Sequence, residues 1–235
     1  MKADLISSMG DDLTVVNAAR VSYNKEAVPL GYTETNGVRV PTLHYSDEKL
    51  IKYLAKHKHF SPFGHCFASF RITCPIFVTR QCIKHSYLRV NEVSRRYIKT
   101  TPGIFYPGVW RSSTKDKKQG SGDPLVQSSQ DAATTAYELC VSDAVKTYDQ
   151  LLDLGVCEEQ ARACLPLSSL TQFIWSGSLD AFAKMAVLRC APDTQAETRE
   201  IANQISNVMG QLYPHSWGAL TGVDWKSTYE GAANV

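Results

Sequence analysis

At 235 residues the chain is long enough for one sizeable core and short for two ordinary domains. Its composition, 43% hydrophobic and 20% charged, is that of a globular protein, and no apolar run approaches the roughly 18 residues a membrane span needs. A formal net charge of +2 is too small to argue for bulk nucleic-acid binding, and Met1-Lys2-Ala3-Asp4-Leu5 lacks a signal-peptide pattern; a cytoplasmic protein without membrane or nucleic-acid partners is expected.

Ser46 is placed to cap a helix over Asp47 to about Lys58, with Leu50, Ile51 and Leu54 on one face. From Cys66 to Cys74 the chain alternates: Ala68, Phe70, Ile72 and Cys74 fall on one side, Ser69, Arg71 and Thr73 on the other. That is the pattern of a half-buried strand. Pro75 suits the first position of a helix carrying Ile76, Phe77, Val78 and Ile83. Residues 112–122 are polar and glycine-containing and read as an exposed loop. A long helix is predicted from about Leu125 to Leu154, ended by Gly155 as a C-terminal cap. Shorter helices are predicted at about Cys157 to Cys164 and Leu179 to Leu188, and another from about Thr194 to Leu212, stopping before Pro214. Strands are thus expected mainly in the first half and helices in the second. An α+β architecture, one domain spanning 1–235, fits better than regular strand–helix alternation.

Cys66, Cys74, Cys82, Cys140, Cys157, Cys164 and Cys190 are scattered and odd in number, with no Cys-x-x-Cys pair. They indicate neither a disulfide framework nor a zinc ribbon and are expected to be buried, reduced and structural. His57, His59 and His65 cluster around Ser61-Pro62-Phe63-Gly64 without metal-ligand spacing, so no metal is expected.

The densest polar stretch runs from Arg80 to Tyr97, with Arg80, Lys84, Arg89, Arg95 and Arg96 against one acid, Glu92, and with Ser86, Asn91 and Ser94 as neutral partners. Such a set suits a phosphate dianion, because charge-assisted hydrogen bonds to phosphate are strong. A solvated basic face, or contact with nucleic acid, would carry the same charges. Far along the chain, Arg162 precedes Leu165-Pro166-Leu167, where a surface salt bridge is the plain alternative. Arg189 ends an apolar helix, where it would complement the helix dipole.

Taken together, the ordered segments resemble the flavin-dependent thymidylate synthase family. These are Ala19-Arg20-Val21-Ser22, His59 to His65, Pro75 to Gln81, Asn91 to Tyr97, Arg162 to Leu167, Thr171 to Trp175, Leu188-Arg189 and Ala191 to Glu197. The family's Arg-His-Arg signature, with a serine after seven further residues, reads here Lys84-His85-Ser86 with Ser94 at the expected distance. The resemblance implies a single α+β domain with a central, mainly antiparallel sheet flanked by helices, assembled as a homotetramer with active sites at subunit interfaces. It also implies transfer of a one-carbon unit from methylenetetrahydrofolate to carbon 5 of dUMP, with FAD reduced by NADPH as the hydride source. A related one-carbon transfer on a deoxypyrimidine nucleotide, such as hydroxymethylation with altered or absent flavin use, is the alternative.

By the same resemblance, Gln81, Glu92, Ser94, Arg95, Arg96, Arg162 and Arg189 would hold the nucleotide. Arg96, Arg162 and Ser94 would take the phosphate, and Arg189 and Gln81 the pyrimidine, with Arg189 and Ser94 as the catalytic pair. Ser22, His59, Ser61, Lys84, His85, Ser86, Asn91, Ser178 and Lys184 match positions that contact the flavin. The nucleotide positions keep the family's residue types, whereas Lys84, Ser86, Gly64, Ser178 and Lys184 depart from them. Weaker or altered flavin binding is therefore expected.

Overall fold

An open antiparallel sheet with helices packed on one face organises the chain. The computed structural model describes residues 1–35, 37–114 and 120–223. Along the chain run β1 (Lys2–Met9), α1 (Asp12–Arg20), the hairpin β2 (Gly31–Thr35) and β3 (Val38–Thr42), α2 (Tyr45–Lys56), β4 (Phe67–Pro75), α3 (Ile76–Cys82) and β5 (Arg89–Glu92). There follow α4 (Gln127–Asp153), the short α5 (Glu158–Ala161), β6 (Leu170–Ser178), α6 (Leu179–Arg189), α7 (Ala196–Leu212) and α8 (Pro214–Thr221). The main sheet has the order β1-β4-β6-β5 with every neighbouring pair antiparallel, so this is a single α+β domain of the expected class.

The alternation read in β4 sets its two faces. Ala68, Phe70, Ile72 and Cys74 are buried, and the register places Phe70 opposite Trp175 and Ile72 opposite Phe173 on β6. Phe182 of α6 packs edge-on against Phe70 and Trp175, with centroids 5.3 and 5.6 Å away, a favoured geometry for aromatic pairs. Ile201, Ile205 and Met209 recur every fourth residue on α7 and complete this core. The opposite sheet face is polar, with Ser69 and Ser176 hydroxyls 2.8 Å apart and Arg71 and Gln172 exposed.

Several expectations need correction. The cap of α2 is His44, whose ring nitrogen accepts the Ser46 N–H, so the helix starts two residues earlier than a Ser46 cap would allow. Ile83, expected within the helix that follows Pro75, lies just past the end of α3 and is exposed. Strands do fall mainly in the first half, and the exception, β6, is a central strand of the main sheet. Its run Phe173-Ile174-Trp175 hides the alternation, yet Thr171, Phe173, Trp175 and Gly177 all point inward. A Cβ on Gly177 would come within 2.3 Å of the Leu88 side chain and 3.2 Å of the Tyr87 carbonyl, so glycine is what lets the segment before β5 approach. Pro214 opens α8 rather than only closing α7, as proline can at a first helical turn. The buried Asp12 carboxylate accepts the His215 and Ser216 amides at 2.8 and 2.9 Å, tying the first helix to the last.

The long helix and its cap agree with expectation, Gly155 having φ +86°. Tyr137 and Tyr148 of α4 donate to main-chain carbonyls of 98–105, Tyr137 to Phe105 at 2.6 Å, and so hold the connection after β5. Of the expected loop at 112–122, residues 115–119 lie outside the described residues. Its flanks meet through Ser112 N to Asp123 O and Gly122 N to Ser112 O, 2.9 and 2.8 Å. All seven cysteines are free, but Cys140 and Cys157 are exposed, contrary to the expectation of general burial. Among the described residues, no group of His, Cys, Asp or Glu is arranged to hold a metal ion, and no helix is long and apolar enough to cross a membrane.

Candidate nucleotide and cofactor site

A pocket of about 300 Å³ opens where the end of β5 meets the turn before β6. Glu92, Ser94, Arg95 and Arg162 line it, joined by Ser169 and Thr171. β5 delivers Glu92, and the Val93 amide extends the ladder by donating to Gln172 O at 2.9 Å. The chain then turns, so that Ser94 and Arg95 face the opening; the Ser94 hydroxyl accepts the Arg96 amide at 3.4 Å. Arg162 comes from the 3-10 turn after α5, its Nε donating to Glu159 O at 3.2 Å, which leaves both terminal nitrogens for a ligand.

Two further members were not singled out from sequence. Thr171 donates its hydroxyl to Glu92 Oε1 at 2.8 Å and orients that carboxylate. The Ser169 hydroxyl is buried without a hydrogen-bond partner. A buried polar group of that kind is costly unless something satisfies it. The run Ser168-Ser169-Leu170-Thr171 was the signal in the sequence, but which hydroxyls face the pocket depends on the strand register of β6. Chemically the pocket offers two guanidinium groups, serine and threonine hydroxyls and one acid, a set suited to a phosphate attached to a hydroxylated sugar.

The remaining nucleotide positions lie elsewhere. Arg96 does not line the pocket; its guanidinium folds back over Tyr97, 5.0 Å from the ring centre, with Nη2 2.7 Å from the phenol oxygen. Gln81 and Arg189 form a second cluster at the far end of α3. Arg189 Nη2 donates to the Gln81 carbonyl at 3.2 Å and Nε to His85 Nε2 at 2.9 Å, while the Gln81 side chain reaches Gln195. Burial, and then the charge of Arg189, push His85 down to about 4, so its imidazole is neutral at physiological pH. Burial pushes the neighbouring Cys82 thiol up to about 12, which leaves no activated nucleophile at that point.

Most positions matched to the flavin are exposed: Ser22, His59, Ser61, Lys84, Ser86 and Asn91. Arg89 opens β5 and lies opposite Ser176. Lys184 is held by Asp180 at 2.8 Å and sits 4.5 Å from the Phe60 ring centre and 5.9 Å from that of Tyr87. The Ser178 hydroxyl binds the other Asp180 oxygen at 2.6 Å.

Comparison with known proteins gives a consistent picture. The family model described as "Thymidylate synthase complementing protein" matches residues 4–215. A flavin-dependent thymidylate synthase of Thermus thermophilus is 35% identical over 216 residues, covering 92% of this chain and 74% of the relative. One from Thermosipho africanus is 32% identical over 227 residues, covering 97% and 92%. Among solved structures, the UMP/dUMP methylase PolB of Streptomyces cacaoi, bound with 5-Br dUMP, superimposes with a TM-score of 0.79 at 27% identity. That match covers 95% of this chain and 96% of the other.

Proposed function

The chain belongs to the flavin-dependent thymidylate synthase family, and from that premise we propose that it methylates carbon 5 of dUMP. The carbon would come from methylenetetrahydrofolate and the hydride from flavin reduced by NADPH, in a cytoplasmic enzyme. One observation carries the reading: residues more than sixty positions apart, Glu92, Ser94 and Arg95 on one side and Arg162 on the other, converge on one pocket with the chemistry of a nucleotide phosphate and sugar.

Two pieces of chemistry fall to the protein's own side chains. Arg95, Arg162, Ser94 and Ser169 bind the phosphate end, and Glu92, aligned by Thr171, accepts from a sugar hydroxyl. Arg189 stabilises the negative charge that grows on the pyrimidine carbonyls as carbon 5 attacks the one-carbon unit, which is preorganised electrostatic stabilisation. We place these two groups in one working site by assembly: a homotetramer in which the pocket of one subunit faces Gln81 and Arg189 of another. The polar open sheet face and the exposed Leu5, Ile6 and Met9 on β1 support such an assembly.

A flavin fits the residues present. Ser61, Ser178 and Asn91 offer hydrogen bonds, and Lys84 and Lys184 offer cations to a diphosphate. Held by these residues in reduced form, a flavin would supply hydride for reduction of the transferred one-carbon unit. Asp180, holding both Ser178 and Lys184, opposes the same diphosphate and supports weaker flavin binding. The test is mass analysis of the nucleotide after incubation with dUMP, methylenetetrahydrofolate, FAD and NADPH. A product with the mass of dTMP is expected. Recovery of unchanged dUMP refutes the reading, and a hydroxymethyl product replaces methylation with the related transfer.

A further inference from the structure

His85 touches the arginine assigned to the pyrimidine. Arg189 Nε donates to His85 Nε2 at 2.9 Å, and Arg189 Nη2 donates to the Gln81 carbonyl at 3.2 Å. Two of the three guanidinium nitrogens are therefore held, by groups on and just after α3, and a free edge is left for a ligand. The imidazole is itself braced: it is half-buried, with its ring centre 6.4 Å from that of the core residue Trp175. We propose that His85 is the positioning residue of Arg189. As a neutral imidazole accepting through Nε2, it aims the guanidinium at the pyrimidine ring and acts through that arginine.

This inference rests on the reading of Arg189 as a partner of the nucleotide. Its chemistry follows from the donor inventory. A guanidinium has donors only, and a protonated imidazole also has donors only, so the contact exists with neutral histidine alone. An arginine at a helix end otherwise samples many rotamers, and orientation matters most where charge develops during the reaction. The groups around the imidazole favour the neutral form. Arg189 reaches it from α6 with positive charge, Trp175 from β6 is uncharged, the buried Cys82 thiol of α3 stays protonated, and Lys84 beside it in the chain is exposed.

Calorimetric titration of dUMP into the full-length oligomer tests the proposal, with wild type, Arg189→Ala, His85→Ala and His85→Gln compared after each melting curve shows a folded protein. Glutamine places a carbonyl oxygen near the Nε2 position and cannot be protonated in this range. Arg189→Ala is expected to weaken dUMP by about tenfold or more, the scale of a lost charge-assisted hydrogen bond. His85→Ala should reproduce most of that loss, and His85→Gln should bind within about threefold of wild type, since only the acceptor need be kept. Between pH 8 and 5.5 the affinity of His85→Gln relative to wild type should stay constant, because burial and Arg189 hold the imidazole neutral across that range. Wild-type affinity in His85→Ala beside a weakened Arg189→Ala overturns the proposal and leaves the nucleotide reading standing. So does His85→Gln binding as poorly as His85→Ala. Unchanged binding in Arg189→Ala removes the nucleotide reading of that residue and the proposal with it.

Discussion

Replacing Arg162 by alanine is the sharpest probe of the phosphate pocket. Within the protein its side chain makes one hydrogen bond, Nε to Glu159 O at 3.2 Å, and otherwise stands exposed at the rim. The variant should therefore fold normally, with stability within about 0.5 kcal/mol of wild type, as for an ordinary surface substitution. What it removes is the pair of terminal nitrogens facing the pocket. A charge-assisted hydrogen bond lost to phosphate costs roughly 1.5–3 kcal/mol, and exposure at the rim places this one near the lower end. About 1.5–2 kcal/mol corresponds to a dUMP dissociation constant raised roughly 10- to 30-fold. Arg162→Lys should fall between, because lysine keeps the charge and loses the fork. The affinity of wild type should decline with salt, and that of the alanine variant should decline less. Isothermal titration at two salt concentrations reads all of this. An alanine variant that melts like wild type and binds dUMP with an unchanged dissociation constant would refute the assignment.

The other expectations probe the support around the site. Asp12→Ala leaves two buried helix-end amides without their acceptor; at about 1–3 kcal/mol for each, and about 2–4 °C per kcal/mol for a chain this size, the melting temperature should drop by roughly 10 °C. A melting curve within a degree of wild type would show that water replaces the carboxylate. Thr171→Val removes the donor to Glu92 while keeping the side chain's volume; dUMP should bind about two- to tenfold more weakly with stability retained, and equal binding would make that contact incidental. Asp180→Asn removes the ion pair to Lys184, freeing a cation for the proposed flavin site; FAD, titrated by absorbance, should bind about two- to fivefold more tightly, and weaker binding would mean that Asp180 organises the cofactor. Light scattering at micromolar concentration should give four chains per particle, and a fully active monomer would remove the shared-site arrangement.

What the sequence determined by itself was whatever is encoded locally. The faces of β4 follow from a side-chain period of two, and α4 and α7 from a period near 3.6 with Gly155 as the stop. The residues proposed for the nucleotide were legible as types, because a phosphate calls for arginine and hydroxyl donors and leaves few substitutes. Tertiary structure decided the rest. β6 reads as an apolar run, and its central place comes from pairing with β4 and β5, whose partner residues lie 81 to 111 positions earlier in the chain. That pairing turns Ser169 and Thr171 toward the pocket, which no count of hydroxyls in the chain reveals. Arg96 and Arg162 are equally good phosphate ligands by composition, yet a turn folds one onto Tyr97 and leaves the other lining the pocket. His85 was matched to the cofactor by its place in a motif, and the fold adds a contact with an arginine 104 positions later. A hydrogen bond depends on distance and direction within a few tenths of an ångström, and those are fixed only when separate elements pack together.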